Sequence, residues 1–181
     1  ARLKRFDESI ALQQQVAETR TRRLGPDHPD TLFIQLNRAA TLYQAGQAKA
    51  ALVQLDRYLP VARKQLGDKH PQVQMGFDIR AQAADELGDK ALAMVSWKTL
   101  LDIREAALGI EDVRTVDAAW QLEGMLRGAG KRDEADAVRA RYVMPLLDAK
   151  ADSLSEEQAA KRKDIIETER EEAQAARTAA K

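Results

Sequence analysis

Leu24-Gly25-Pro26-Asp27-His28-Pro29 returns 42 residues later as Leu66-Gly67-Asp68-Lys69-His70-Pro71, and again in altered form as Leu108-Gly109-Ile110-Glu111-Asp112-Val113. Two further landmarks keep the same step: Gly46, Gly88 and Gly130, then Ala51, Ala93 and Ala135. Self-similarity at such a period marks an array of small units that stack on one another and share a core. The punctuation has a mechanical reading. A glycine just past a helix end can take the positive φ that closes the last turn, and a proline suits the first turn of the next helix, where its missing N–H had no partner anyway.

Ala, Leu, Gln, Glu, Arg and Lys dominate the rest of the chain, and aromatics are 4%, so the units are predicted to be helical throughout. Within each unit the middle glycine separates two helices. The first unit has about 30–45 and 48–64, the second about 72–87 and 89–106, the third about 113–128 and 131–148. Ala51, Ala93 and Ala135 are expected where second helices come closest to a neighbour, since larger side chains would push the axes apart. Pro60 and Pro145 fall inside second helices and are expected to kink or loosen them. Before the first unit, residues 4 to 22 read as one helix, and Lys4 falls where Gly46 falls in the frame. Residues 1–23 are therefore expected to be the second half of a preceding partial repeat, in a chain that starts inside a longer array. The divisions that follow are 24–65, 66–107 and 108–149 as repeats and 150–181 as a charged C-terminal helix that caps the array or projects from it. In that last segment Ser153-Leu154-Ser155 offers an N-cap. Only Leu154, Ile165 and Ile166 give apolar weight, which leaves self-association through 150–181 open.

Composition excludes several functions. Lys+Arg and Asp+Glu are both 29, so no global field draws nucleic acid or an anionic membrane. The chain has no cysteine and hence no disulfide, thiolate metal site or cysteine nucleophile. No apolar run approaches the roughly 20 residues of a membrane span. Phosphate-binding loops, dinucleotide turns and Ser-His-Asp arrangements are absent. The reading is a non-enzyme with no cofactor. His28 and His70 align with Asp112, and all three are read as side chains that accept from free N–H groups at a helix start. Trp97 aligns with Leu55 and is read as core, whereas Trp120 fits either core or a groove. Arg38 and Arg80, one step apart, fit either a rung that holds an anion or a pair tied to local acids such as Asp78 or Asp85.

The sequence Leu-Gly-Pro-Asp-His-Pro-Asp-Thr at 24–31, followed by Asn37, Ala39, Gly46 and Ala51, closely resembles the 42-residue tetratricopeptide repeat of the kinesin light chain type, over 24–149 with a half repeat before it. The resemblance implies an open right-handed α-solenoid of antiparallel helix pairs that holds a peptide or protein partner on its concave face. Carried over in register, the face-lining positions are Phe33, Leu36, Asn37, Ala40, Tyr43 and Gln44 on the first unit. Met75, Asp78, Gln82 and Asp85 follow on the second, and Trp120, Gln121 and Arg127 on the third; a one-residue slip of the first helix would reassign many of them. Asn37 matches the asparagine with which such repeats grip a peptide backbone, while Ile79 and Gln121 do not, and Glu123 stands at the small-residue position of the third unit. Arrays with Arg-Leu-Gly-Pro-Asp-His-Pro-Asp-Thr at 23–31 and Arg-Glu-Ala-Ala-Leu-Gly at 104–109 also resemble those appended to bacterial serine/threonine kinases and winged-helix regulators. The sequence thus supports a scaffold that binds a protein segment or, alternatively, the sensory portion of a larger bacterial signalling protein. Such a module is expected in the cytoplasm, with the periplasm open for a membrane-anchored receptor.

Overall fold

The computed structural model describes residues 2–179, with side chains from Arg5 onward, and every regular element among them is helical. The order is α1 (Arg2–Leu24), α2 (Pro29–Gln44), α3 (Ala48–Leu66), α4 (Pro71–Glu86), α5 (Lys90–Leu108), α6 (Val113–Gly128) and α7 (Arg132–Val138). A π-helical turn (Arg139–Val143), α8 (Met144–Asp148), a 3-10 turn (Ala151–Ser153) and α9 (Glu156–Ala179) complete it. The chain forms two compact units, residues 1–107 and 108–181.

The helix boundaries follow from the punctuation. α2, α4 and α6 start at 29, 71 and 113, and at each start a side chain accepts from the backbone two residues on. His28 Nδ1 accepts from Asp30 N at 3.2 Å, His70 Nδ1 from Gln72 N at 3.2 Å, and Asp112 Oδ1 from Arg114 N at 2.9 Å. Imidazole and carboxylate do the same work because the helix start needs only an acceptor. Positive-φ glycines fall at 25, 46, 67, 88, 109 and 130, one every 21 residues. At Gly46, φ is 75°, and Gln47 N reaches back to Leu42 O at 2.9 Å, the six-to-one bond of a left-handed C-terminal cap.

In the first unit α1 packs on α2, α2 on α3 and α3 on α4, and α2 also packs on α4, the next first helix. Leu32, Leu36, Leu55, Val73 and Leu100 are completely buried, as are Ala51 and Ala93. Trp97 is buried as expected, at 4% exposure. α3 stays α-helical through Pro60. The interface between α2 and α3 carries a polar ladder: Arg38 Nη1 donates to Gln54 Oε1 at 3.0 Å, Gln54 Nε2 to Gln35, and Gln35 Nε2 to Tyr58 Oη at 3.2 Å.

In the second unit α6 packs against α7, the π turn and α9. The second helix of this pair is not continuous. Its winding widens at Arg139–Val143 immediately before Pro145, and the N–H of Met144 bonds to Arg139 O. The loosening expected at Pro145 therefore takes the form of a π turn, which re-routes the bonds next to a residue with no N–H to give. Glu123, at the small-residue position, is 3% exposed and is neutralised by Arg127 Nε at 2.8 Å and Arg139 Nη1 at 3.2 Å. α9 opens with a reciprocal cap, Gln158 N to Ser155 Oγ at 3.2 Å and Ser155 N to Gln158 Oε1 at 3.0 Å. It is held by Lys161 to Asp117 at 2.7 Å, by Arg139 to Glu169 at 2.7 Å, and by Ile165, which is completely buried. Residues 170–179 are exposed throughout. Ile165→Ala is expected to lower the stability of the second unit by about 2–4 kcal/mol, through lost apolar burial and the cavity left behind. Ile166→Ala, at a half-buried site, should cost under about 1 kcal/mol. Urea unfolding of both variants, followed by helical circular dichroism, measures the difference.

Candidate interaction surface

Phe33 on α2 and Met75 on α4 are 42 residues apart and occupy the same turn of adjacent first helices. Phe33 is 42% exposed, an uncovered aromatic ring on a well-packed helix, and Met75 is half-buried. Toward the other end of the same two helices the character becomes acidic. Burial, then the carboxylates of Glu86, Asp78 and Asp85, push the Tyr43 phenol above its ordinary value. All three of these acids are on α4. Asn37, half-buried, lies between the two ends on α2, and Gln82 on α4 donates to Asp78. The structure therefore brings Phe33, Asn37, Tyr43, Met75, Asp78, Gln82 and Asp85 onto α2 and α4. Leu36 differs from its expected place on the face, because it is completely buried and packs instead.

Asp78 is held by a residue that the sequence reading passed over. Arg104 Nη2 meets Asp78 Oδ2 at 3.0 Å, with side-chain exposures of 9% and 25%. In the 42-residue frame Asp78 stands at the position of Leu36 and Trp120, and Arg104 at the position of Ala62 and Leu146. One pair of positions is filled by Leu and Ala, by Asp and Arg, and by Trp and Leu. The two departures in the middle unit are complementary, and that joint change of character was the signal available in the sequence. Asp85 is held similarly, by Lys90.

Of the two readings open for Arg38 and Arg80, local pairing holds for Arg80. Arg80 bonds Asp56 Oδ1 through Nε at 3.0 Å and Ser96 Oγ through Nη1 at 3.0 Å, so its acid is Asp56 of the preceding helix and not Asp78 or Asp85. In the second unit, Trp120 lies under Lys161 of α9, whose Nζ is 4.5 Å from the ring centroid. Arg127 is tied to Glu123 at 2.8 Å and Asp136 at 2.7 Å, and Gln121 is exposed on α6. Two of the three candidates on α6 thus have partners inside their own unit. Among the described residues no group of three or more His, Asp or Glu is placed to hold a metal ion, and no helix is long and apolar enough to cross a membrane.

Residues 1–64 match the family model of the tetratricopeptide repeat. Tetratricopeptide repeat sequence is thus present over residues 1–64. Among solved structures it is similar to the kinesin light chain TPR-like repeats of Podosopora anserina, at 20% identity and a TM-score of 0.73, over 93% of this chain and 82% of that one. A singly substituted form of those same repeats gives 21% identity and a TM-score of 0.72 over the same shares. The fold is accordingly an all-α solenoid of the tetratricopeptide kind, built from consecutive helix pairs. No curated protein matches the sequence. Tetratricopeptide repeats are in general modules that bind other proteins.

The Asp78–Arg104 pair makes a direct test of this packing. Asp78→Leu alone should destabilise the first unit by about 2–4 kcal/mol, because it removes a carboxylate that meets a largely desolvated guanidinium. Adding Arg104→Ala, which recreates the Leu36 and Ala62 combination, should restore most of the loss. Urea unfolding of the two variants reads both effects. Tyr43 supplies a test by pH. Its raised value means the folded chain keeps this proton to higher pH than the unfolded chain, so the contribution to stability is complete below the ordinary phenol range and is lost as pH rises through the folded value. Absorbance titration at high pH should show Tyr43 ionising above the ordinary phenol range. That late step should vanish in Tyr43→Phe and move down in Glu86→Gln.

Proposed function

We propose that this is a non-catalytic interaction module that holds an extended protein segment along the adjoining faces of α2 and α4, the concave side in the tetratricopeptide arrangement. The observation that carries this reading is the uncovered ring of Phe33 on α2, the helix that also bears Asn37 and Tyr43 and packs on α4, which bears Met75, Gln82 and the acids. A ring 42% exposed on an ordered helix forgoes burial that a partner can supply, and aromatic anchors flanked by hydrogen-bonding groups are what binding hot spots are made of. Asn37 would bond the partner's backbone. Phe33 and Met75 would take an apolar side chain, and Gln82, Asp85 and Tyr43 would set what lies further along.

The experiment is selection of peptides from a displayed random library on the full chain, followed by amide chemical-shift mapping of the enriched peptide. The reading expects shifts concentrated on α2 and α4. It also expects a loss of affinity on the order of ten-fold or more in Phe33→Ala and in Asn37→Ala, consistent with truncation of anchor groups. Shifts confined to α3 and α5, or affinity indifferent to both substitutions, would overturn it.

A further inference from the structure

Arg38 and Arg80 occupy the same place one step apart, yet only one of them is neutralised. Their inner contacts match: Arg38 Nη1 donates to Gln54 Oε1 at 3.0 Å, and Arg80 Nη1 to Ser96 Oγ, the equivalent residue, also at 3.0 Å. Their outer contacts differ. Arg80 Nε meets Asp56 at 3.0 Å, whereas the residue equivalent to Asp56 on α1 is Gln14, which donates to Glu18 at 2.6 Å. Arg38 makes no ion pair among the described residues, and its Nε is enclosed without a hydrogen-bond partner.

A second carboxylate is missing in the same neighbourhood. α5 is preceded by Asp89, whose Oδ1 accepts from Leu92 N at 3.0 Å. α3 is preceded by the equivalent residue Gln47, whose side chain makes no cap hydrogen bond to the first turn. Two aspartates of one step are two glutamines in the other, and both changes replace a carboxylate by a neutral amide. The third step has Leu122 in the arginine position, so the uncompensated combination belongs to the α2–α3 pair.

Arg38, Gln54 and the start of α3 line a single open cleft of about 810 Å³. Its apolar walls are Ile10, Leu42, Val53 and Leu87, of which Val53 is 66% and Leu87 49% exposed. Lys49 adds a positive charge to the lining, and Glu86 a negative one. We propose that this cleft is a docking site for an acidic peptide segment. One carboxylate meets the part of the Arg38 guanidinium that lines the cleft, a second meets the N-terminal turn of α3, and an apolar side chain between them rests on Val53 and Leu87. The charge follows from the two missing aspartates, since a guanidinium and a helix start both favour an anion and neither has one from the chain itself. The occupant is a segment and not a small molecule because the cleft is open along its length and would leave most of a small ligand in water. The site uses the turn between α2 and α3, apart from Phe33 and Met75, and does not depend on the reading of that face.

The test is calorimetric titration of the full chain with the capped peptide acetyl-Glu-Leu-Glu-Leu-Glu-amide, with its lysine counterpart and with sodium acetate, each repeated as an amide-shift titration. The acidic peptide should bind and shift the amides of Lys49 and Ala50, the lysine peptide should not bind, and acetate alone should not reproduce the shifts at equal concentration. Gln14→Asp with Gln47→Asp supplies the chain's own acids, as Asp56 and Asp89 do for Arg80 and α5. It keeps the array folded and should weaken the acidic peptide on the order of ten-fold. Arg38→Leu, which copies Leu122, should weaken it similarly. Equal affinity in the double aspartate variant, no binding by the folded wild-type chain, or acetate alone reproducing the shifts would overturn the proposal.

Discussion

A helix in water stops where its sequence lets the backbone turn, and in this chain that happens at every twenty-first residue. Positive φ costs an ordinary L-residue energy and a glycine almost none, so the glycines at 25, 46, 67, 88, 109 and 130 fix helix lengths before any tertiary contact is made. Helices of near-equal length with short turns can only fold back on their neighbours, and the buried alanines at 51, 93 and 135 allow them to do so closely. What varies from step to step is then the chemistry placed on a repeated frame, and the function resides in that variation.

The charges show how the frame is used. Asp78 with Arg104, and Glu123 with Arg139, are acids and bases that arrive together at positions filled by neutral residues elsewhere in the frame, while Arg80 stands where Arg38 does and gains the acid Asp56. A desolvated charge without a partner is expensive, so a substitution of one sign survives best when its neighbour changes with it. Such pairs add little net stability but do fix register, because slipping one helix along another would separate them. Arg38 is the member of this series that lacks its acid, and that is why it stands out.

Much of this was legible in the residues. The frame, the all-helical class, the caps at His28, His70 and Asp112, and the buried Trp97 follow from local signals that act within a few residues. Leu36 could not be placed from spacing alone, because which flank of a helix turns inward depends on the neighbouring helices and a shift of one position moves a side chain by about 100° around the axis. The acid partner of Arg80 was missed for a related reason: Asp56 lies 24 residues earlier on another helix, while Asp78 and Asp85 are close in sequence. Arg104 was legible only by comparing two positions in three steps at once. The π turn before Pro145 shows how a proline can be absorbed by a change of winding, which its sequence position does not specify.

The account rests most on the helices being separate rods that end at the left-handed glycines. Residue-resolved amide hydrogen exchange of the full chain tests this directly. It should show slow exchange through the middles of α2 to α6, around Leu36, Leu55 and Leu100, broken by fast exchange in the turns after Gly46, Gly67 and Gly88. Continuous protection across Gly46 or Gly88, as in one long helix, or uniformly fast exchange at Leu36 and Leu55, would contradict it.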